Sequence, residues 1–213
     1  MEPIAWVLGA GGAALGLVAD RFATRWPEHD EEHPPGRAVD WRTVVVAVTG
    51  ALAFGLLTLR FGGDALAVVI FGAWFATLVV GLATDLDQRL LPDVLTLPVI
   101  PVALVYALSG QNPLVGTEIV SAIAAALVIP AVLYLPSIPF GAGAFGLGDV
   151  KLLVGVGLLA GGSRAVGSVV VALLLGGVVI AALLVTRRIG RKTFIPFGPF
   201  FILAALWAIL LRP

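Results

Sequence analysis

Cysteine is absent from the chain, which excludes disulfides, thiol nucleophiles and every thiolate metal site. Charge is scarce: 12% of the 213 residues are Asp, Glu, Lys or Arg, against about a quarter in ordinary soluble domains. The 13 basic and 13 acidic side chains cancel, so no net charge draws the chain toward polyanions and nucleic acid is not an expected partner. Two histidines, His29 and His33, are all that remain for soft metal ligation. On a helix a pair four apart could hold a metal. Here they lie in a proline-flanked run, 27–35, that reads as a solvated loop, so neither metal nor cofactor is expected. Apolar residues, in contrast, make up 60% of the chain, and the mean hydropathy is +1.07. The uncharged runs are too many and too long for one aqueous core. They predict a bilayer protein and exclude a secreted enzyme or a disordered regulator.

Uncharged runs cover 3–19, 43–59, 65–84, 94–117, 119–148, 152–163, 165–186 and 193–211. They predict an all-α polytopic bundle of about eight transmembrane helices, since a span takes about 17 to 25 apolar residues. Two runs fall outside that range. In 119–148, Pro136, Pro139 and a glycine-rich tail predict a helix ending near Leu135, followed by a loop. The run 152–163 is too short on its own, so its helix must take in polar neighbours such as Asp149 and Lys151. The first run lacks a basic leader and is followed by Asp20 and Arg21, which reads as a retained span. The chain therefore divides into a first transmembrane helix (1–24), a short cytoplasmic linker (25–42) and a membrane domain (43–213).

Orientation follows from where Lys and Arg fall, since cytoplasmic loops carry the excess. With the N-terminus outside, Arg21, Arg25, Arg37, Arg42, Arg89, Lys151, Arg187, Arg188, Arg191 and Lys192 are cytoplasmic, and only Arg60, Arg164 and Arg212 lie outside. Ionisable groups at membrane depth are functional candidates. Asp85, Asp87 and Asp93 fall where the third run reaches the cytoplasm and the fourth begins. Asp149 closes Gly146-Leu-Gly-Asp149 on the same side. Asp93, after Pro92, also suits a helix start, and Asp87, beside Gln88 and Arg89, suits a solvated interfacial charge. Asp85 directly continues an apolar helix. At Asp149, Gly146 and Gly148 leave the backbone open to close approach by another segment. Two carboxyls converging at one leaflet suit aspartic proteolysis: one activates water while the other protonates the departing group. A cation or proton site in a small transporter remains open on the same residues, as does an inactive scaffold for a pilus or secretion machine.

Three stretches together resemble the prepilin peptidase (type IV leader peptidase) family of Gly-x-Gly-Asp membrane aspartic peptidases. They are D-L-D-Q-R-L-L-P-D from Asp85 to Asp93, G-L-G-D-V-K from Gly146 to Lys151, and P-F-G-P-F from Pro196 to Phe200. The resemblance implies a catalytic pair of Asp85 and Asp149, with Gly146, Gly148, Lys151 and Asp93 shaping the surrounding motifs. It implies a bacterial plasma-membrane enzyme with its active site facing the cytoplasm, which cleaves short basic leaders from pilin-like precursors that are themselves membrane-embedded. Many bacterial members carry a cysteine-containing methyltransferase domain between their first two helices. Residues 25–42 are short and cysteine-free, so N-methylation is not expected here. The acidic residues Glu28, Asp30, Glu31 and Glu32 read first as a solvated linker and second as an attractor for basic leaders.

Overall fold

A computed structural model of the chain describes residues 2–29, 31, 34–140, 146–190 and 195–212; Asp30, Glu32 and His33 of the linker reading lie outside the described residues. Among those described, all regular structure is helical: α1 (Glu2–Ala23), α2 (Trp41–Phe61), α3 (Ala65–Gln88), α4 (Asp93–Thr96), α5 (Val99–Leu108), α6 (Ile119–Tyr134), α7 (Leu147–Ala160), α8 (Gly162–Val185) and α9 (Gly198–Leu210). Aspartates start two of the long helices. Asp40 caps α2 and completes a capping box with Thr43, and Asp64 caps α3 by accepting the Ala67 N–H at 2.9 Å. The run 119–148 breaks as its prolines predict: α6 stops at Tyr134 and a 3-10 turn follows over Leu135–Phe140.

Among the described residues five helical segments are long and apolar enough to cross a membrane: Pro3–Ala23, Trp41–Phe61, Ala65–Gln88, Ile119–Pro139 and Gly162–Val185. Their outward faces expose large apolar side chains, among them Trp6, Val69, Val120, Leu174 and Val185, as lipid contact requires. The protein is a polytopic membrane bundle. Two runs of spanning length in the sequence make shorter helices. The run 94–117 divides into α4 and α5 at Pro98 and ends its helix at Leu108, before Ser109 and Gly110. The run 193–211 begins its helix only at Gly198, after Pro196. Proline removes a backbone donor and disfavours helical geometry in the residue before it, so an uncharged run need not be one helix.

The centre of the bundle is α3, α7 and α9. Phe71, Phe75, Leu78 and Leu82 of α3, Leu152, Leu153 and Leu159 of α7, and Phe201, Ile202 and Ile209 of α9 are fully buried. From Leu152 to Ala160 almost all of α7 is enclosed, by α4, α5, α6, α8 and α9. It therefore needs no lipid-spanning length. The C-terminal turn of α3 meets the N-terminal turn of α9, where Gly198 lies against Asp85, and the segment that follows α3 meets the N-terminal turn of α7, where Gly148 lies against Leu91. That meeting point holds the three motif stretches.

Candidate functional site

Asp85 sits in the last turn of α3 and is 4% exposed. Its Oδ2 has no hydrogen-bond partner among the described residues, and the charges of Asp149 and Arg89 both reach it. A buried carboxyl oxygen without a partner is costly, which makes Asp85 a candidate functional residue. The chain turns sharply just beyond it. Arg89 adopts the left-handed conformation at φ +57° and donates its N–H to the Asp85 carbonyl at 3.0 Å, which ends α3 and sends Leu90, Leu91 and Pro92 back toward the bundle.

Asp149 is half-buried in the first turn of α7. Gly146 is the N-cap, and Asp149, three residues on, accepts the Gly146 backbone N–H. This is the return half of a capping box. Between them, Gly148 faces Leu91: a Cβ on Gly148 would fall 2.8 Å from the Leu91 Cβ and 3.0 Å from its carbonyl oxygen. The expected close approach at this glycine is therefore present, and its partner is the segment that joins Asp85 to Asp93. Gly146 is different. Its nearest described neighbour is the Asp149 carboxylate at 3.4 Å, an ordinary contact distance. Lys151 ion-pairs with Asp93, tying α7 to the start of α4. Asp93 is 62% exposed. It occupies the first turn of a four-residue helix whose N-cap is Pro92, with no side-chain capping bond.

A third stretch completes the site. Gly198 opens α9, with Pro199 beside it in the first turn, and a Cβ at Gly198 would lie 2.5 Å from Asp85 Oδ2 and 2.8 Å from its Cγ. Only a glycine leaves room for the carboxyl there. The stretch Pro196–Phe200 was visible in the sequence as a motif, but nothing local named Asp85 as what Gly198 touches.

Two readings from the sequence need correction. Asp87 is not a solvated interfacial charge: it is 5% exposed and takes the Arg37 Nε at 2.6 Å. The linker around His29 is not a freely solvated loop either. The His29 side chain is 6% exposed, with Nε2 3.4 Å from Asp87 Oδ2 and 3.1 Å from Gln88 Nε2. Arg37 is the hub. Besides Asp87 it binds Asp20 Oδ1 at 2.6 Å and Asp40 at 2.5 Å, so the linker is clamped between the ends of α1 and α3. Asp20 is wholly buried, and it also accepts from Arg21 and from Thr43 Oγ1 at 2.7 Å. Burial works against the Arg37 charge, but its hydrogen bonds to Asp87 and Asp20 outweigh that and hold the guanidinium more firmly protonated than usual. The physical reason is pairing: a charge leaves water when enough opposite charge waits for it inside.

Among the described residues no group of three or more His, Asp or Glu gathers as metal ligands. What the site does offer is two carboxyls from different helices at one end of the bundle, with the charge of Asp149 felt at Asp85. Two carboxyls brought together can share one proton, one oxygen taking a proton from water while the other gives one up.

The model of the type IV leader peptidase family matches residues 73–185, more than half of the chain, and the chain belongs to that family. A prepilin leader peptidase/N-methyltransferase of Burkholderia pseudomallei is 35% identical over 160 residues, covering 74% of this chain and 50% of the relative. One of the same name from Dickeya chrysanthemi is 30% identical over 186 residues, covering 84% of this chain and 63% of the relative. The type 4 prepilin-like proteins leader peptide-processing enzyme of an enterotoxigenic Escherichia coli strain is 31% identical over 174 residues, covering 80% and 62%. The chain thus spans about half the length of the Burkholderia relative. No solved structure matches it.

Proposed function

We propose that the chain is an aspartic endopeptidase that removes the leader from type IV pilin-like precursors at the cytoplasmic face of a bacterial plasma membrane. Asp85 and Asp149 are its catalytic pair. Sharing one proton, one carboxylate takes a proton from water as the oxygen attacks the scissile carbonyl carbon; the other protonates the departing amide nitrogen as the C–N bond breaks. No cofactor takes part. The observation that carries this reading is the convergence of three segments far apart in sequence at one end of the bundle: Gly198 lies against the Asp85 carboxyl, and Gly148, next to Asp149, lies against Leu91 of the segment that follows Asp85. Membership of the family supports the same reaction.

About eight membrane crossings, counting the short helices, with the N-terminus outside place this end in the cytoplasm. Residues 1–24 then form the first transmembrane helix, 25–42 the cytoplasmic linker and 43–213 the peptidase membrane domain. The gathering of Arg60, Arg164 and Arg212 at the other end supports that orientation, since those were the three basic residues assigned outside. Methylation of the new N-terminus is not part of this activity: the chain has no cysteine, and the linker is occupied in clamping α1 to α3. Gly148, packed on Leu91, and the Lys151–Asp93 ion pair hold the second catalytic turn against the first, while Gly146 opens that turn as its N-cap.

Co-expression with a prepilin from the same source tests the reading. The wild type is expected to convert the precursor to its shortened form, and Asp85→Asn and Asp149→Asn to leave it intact at normal membrane levels. If the wild type leaves several native prepilin-like precursors uncut, the proposal fails.

A further inference from the structure

At the end of the bundle away from Asp85 and Asp149, three arginines distant in sequence come together. Arg60 closes α2, Arg164 stands in the first turn of α8 and Arg212 follows α9. Arg60 Nη2 donates to the Arg212 carbonyl at 3.2 Å. Arg212 Nη1 donates to the Ser163 carbonyl at 2.6 Å, and its Nη2 lies 3.3 Å from Ser163 Oγ. Arg164 Nη1 reaches the Leu114 carbonyl at 3.5 Å. The Arg212 guanidinium also fills the space that a side chain on Gly167 would need. Backbone carbonyls therefore fix these three cations, with no acid paired to any of them among the described ion pairs.

Their charges add. Both Arg60 and Arg212 act on Arg164, and among the described residues Glu118 offsets them there. Asp64, at the same end, is engaged as the cap of α3. Arg164 Nε is buried and has no hydrogen-bond partner among the described residues. The first turn of α8 adds donors of its own, because its N-cap is Gly161, at φ +78°, with no side-chain capping bond. Converging guanidinium forks beside an uncapped helix N-terminus are the donor set that phosphate oxygens take up.

We propose that Arg60, Arg164, Arg212 and the first turn of α8 form a binding site for a phosphate group, supplied by the headgroup of an anionic membrane lipid. Such a lipid would pin α2, α8 and α9 together at the end of the bundle opposite the aspartates. The bundle reaches the membrane surface there, so the headgroup lies at the right depth while its tails run along the apolar face of α8, where Val166, Val170 and Leu174 are exposed.

The test uses the full chain in nanodiscs of phosphatidylcholine alone and of phosphatidylcholine with phosphatidylglycerol, read by the thermal unfolding midpoint. Phosphatidylglycerol is expected to raise the midpoint of the wild type. Arg164→Gln and the exposed Arg60→Gln are expected to lose most of that rise while keeping the wild-type midpoint in phosphatidylcholine, which shows that they fold. Arg25→Gln, at the other end, is expected to keep the rise. An equal rise in all the proteins, or none in the wild type, overturns the site. Inorganic phosphate added to phosphatidylcholine discs separates the sources: a rise equal to that from phosphatidylglycerol overturns the lipid assignment. None of these readings depends on peptidase activity.

Discussion

Gly198 stands directly against the carboxyl of Asp85, so close that a Cβ would lie 2.5 Å from Oδ2. Real Cβ atoms do not approach oxygen so nearly. Gly198→Ala must therefore displace either the buried carboxyl or the first turn of α9. Misplacing a reacting group by an ångström costs on the order of 100-fold in rate, and a loss of that size in precursor cleavage is expected. Gly177→Ala, where a Cβ meets nothing within 4 Å, serves as the control and should cleave at the wild-type rate.

The proposed reaction uses the two aspartates as a unit, so their losses should not add. Asp85→Asn and Asp149→Asn are each expected to abolish cleavage, and the double variant to be no worse than either. Asp93→Asn separates motif membership from chemistry. Asp93 is exposed and, among the described residues, ion-paired with Lys151, and exposed pairs contribute about 0–1 kcal/mol, so cleavage should fall only a few-fold. Quantifying cleaved precursor across the four variants decides this, and an equal loss in Asp93→Asn would move the first catalytic position to Asp93.

The ends of the uncharged runs already marked Asp85 and Asp149 as carboxyls at one face, because hydropathy is written locally along the chain. The close approach at Gly148 and the break after α6 were legible for the same reason. The corrections concern what pairs across the fold. Asp87 looked solvated because its counter-ion, Arg37, lies 50 residues away and no periodicity links them. His29 was misread with it. The shortened α5 and α9 show the converse limit: apolarity fixes whether a segment is dry, while Pro98, Ser109, Gly110 and Pro196 decide how much of it is helix.

The two glycines of the Gly146–Asp149 turn are predicted to behave unequally. Alanine at 148 would meet the Leu91 carbonyl at 3.0 Å and its Cβ at 2.8 Å. Backbone cannot swing aside as a side-chain tip can, so the first turn of α7 must lift and take Asp149 with it. Among the described residues, alanine at 146 comes nearest the Asp149 carboxylate, at 3.4 Å. Gly148→Ala should lose about 100-fold in cleavage, whereas Gly146→Ala should stay within several-fold of wild type. Initial rates of precursor processing at matched membrane levels check the ranking, and equal losses would argue against a packing role peculiar to Gly148.

Arg37 holds the linker in place, and its removal takes the nearest cation from the buried Asp87 and one of three described partners from the buried Asp20, which keeps Arg21 and Thr43. Asp20 is wholly buried and Asp87 is 5% exposed, and breaking a buried pair on one side costs about 3–5 kcal/mol. Arg37 itself is 16% exposed, so Arg37→Ala belongs near the lower end, about 3 kcal/mol. A single charge restored by Arg37→Lys should recover only part of this, since an ammonium lacks the fork that reaches Asp20, Asp40 and Asp87 at once. Thermal unfolding in detergent measures the loss. Because the chain has no cysteine, His29→Cys gives a clean report on the linker: its maleimide labelling should be slow with Arg37 present and fast in the Arg37→Ala background. Fast labelling in both would mean that the linker does not rest on α3 in solution.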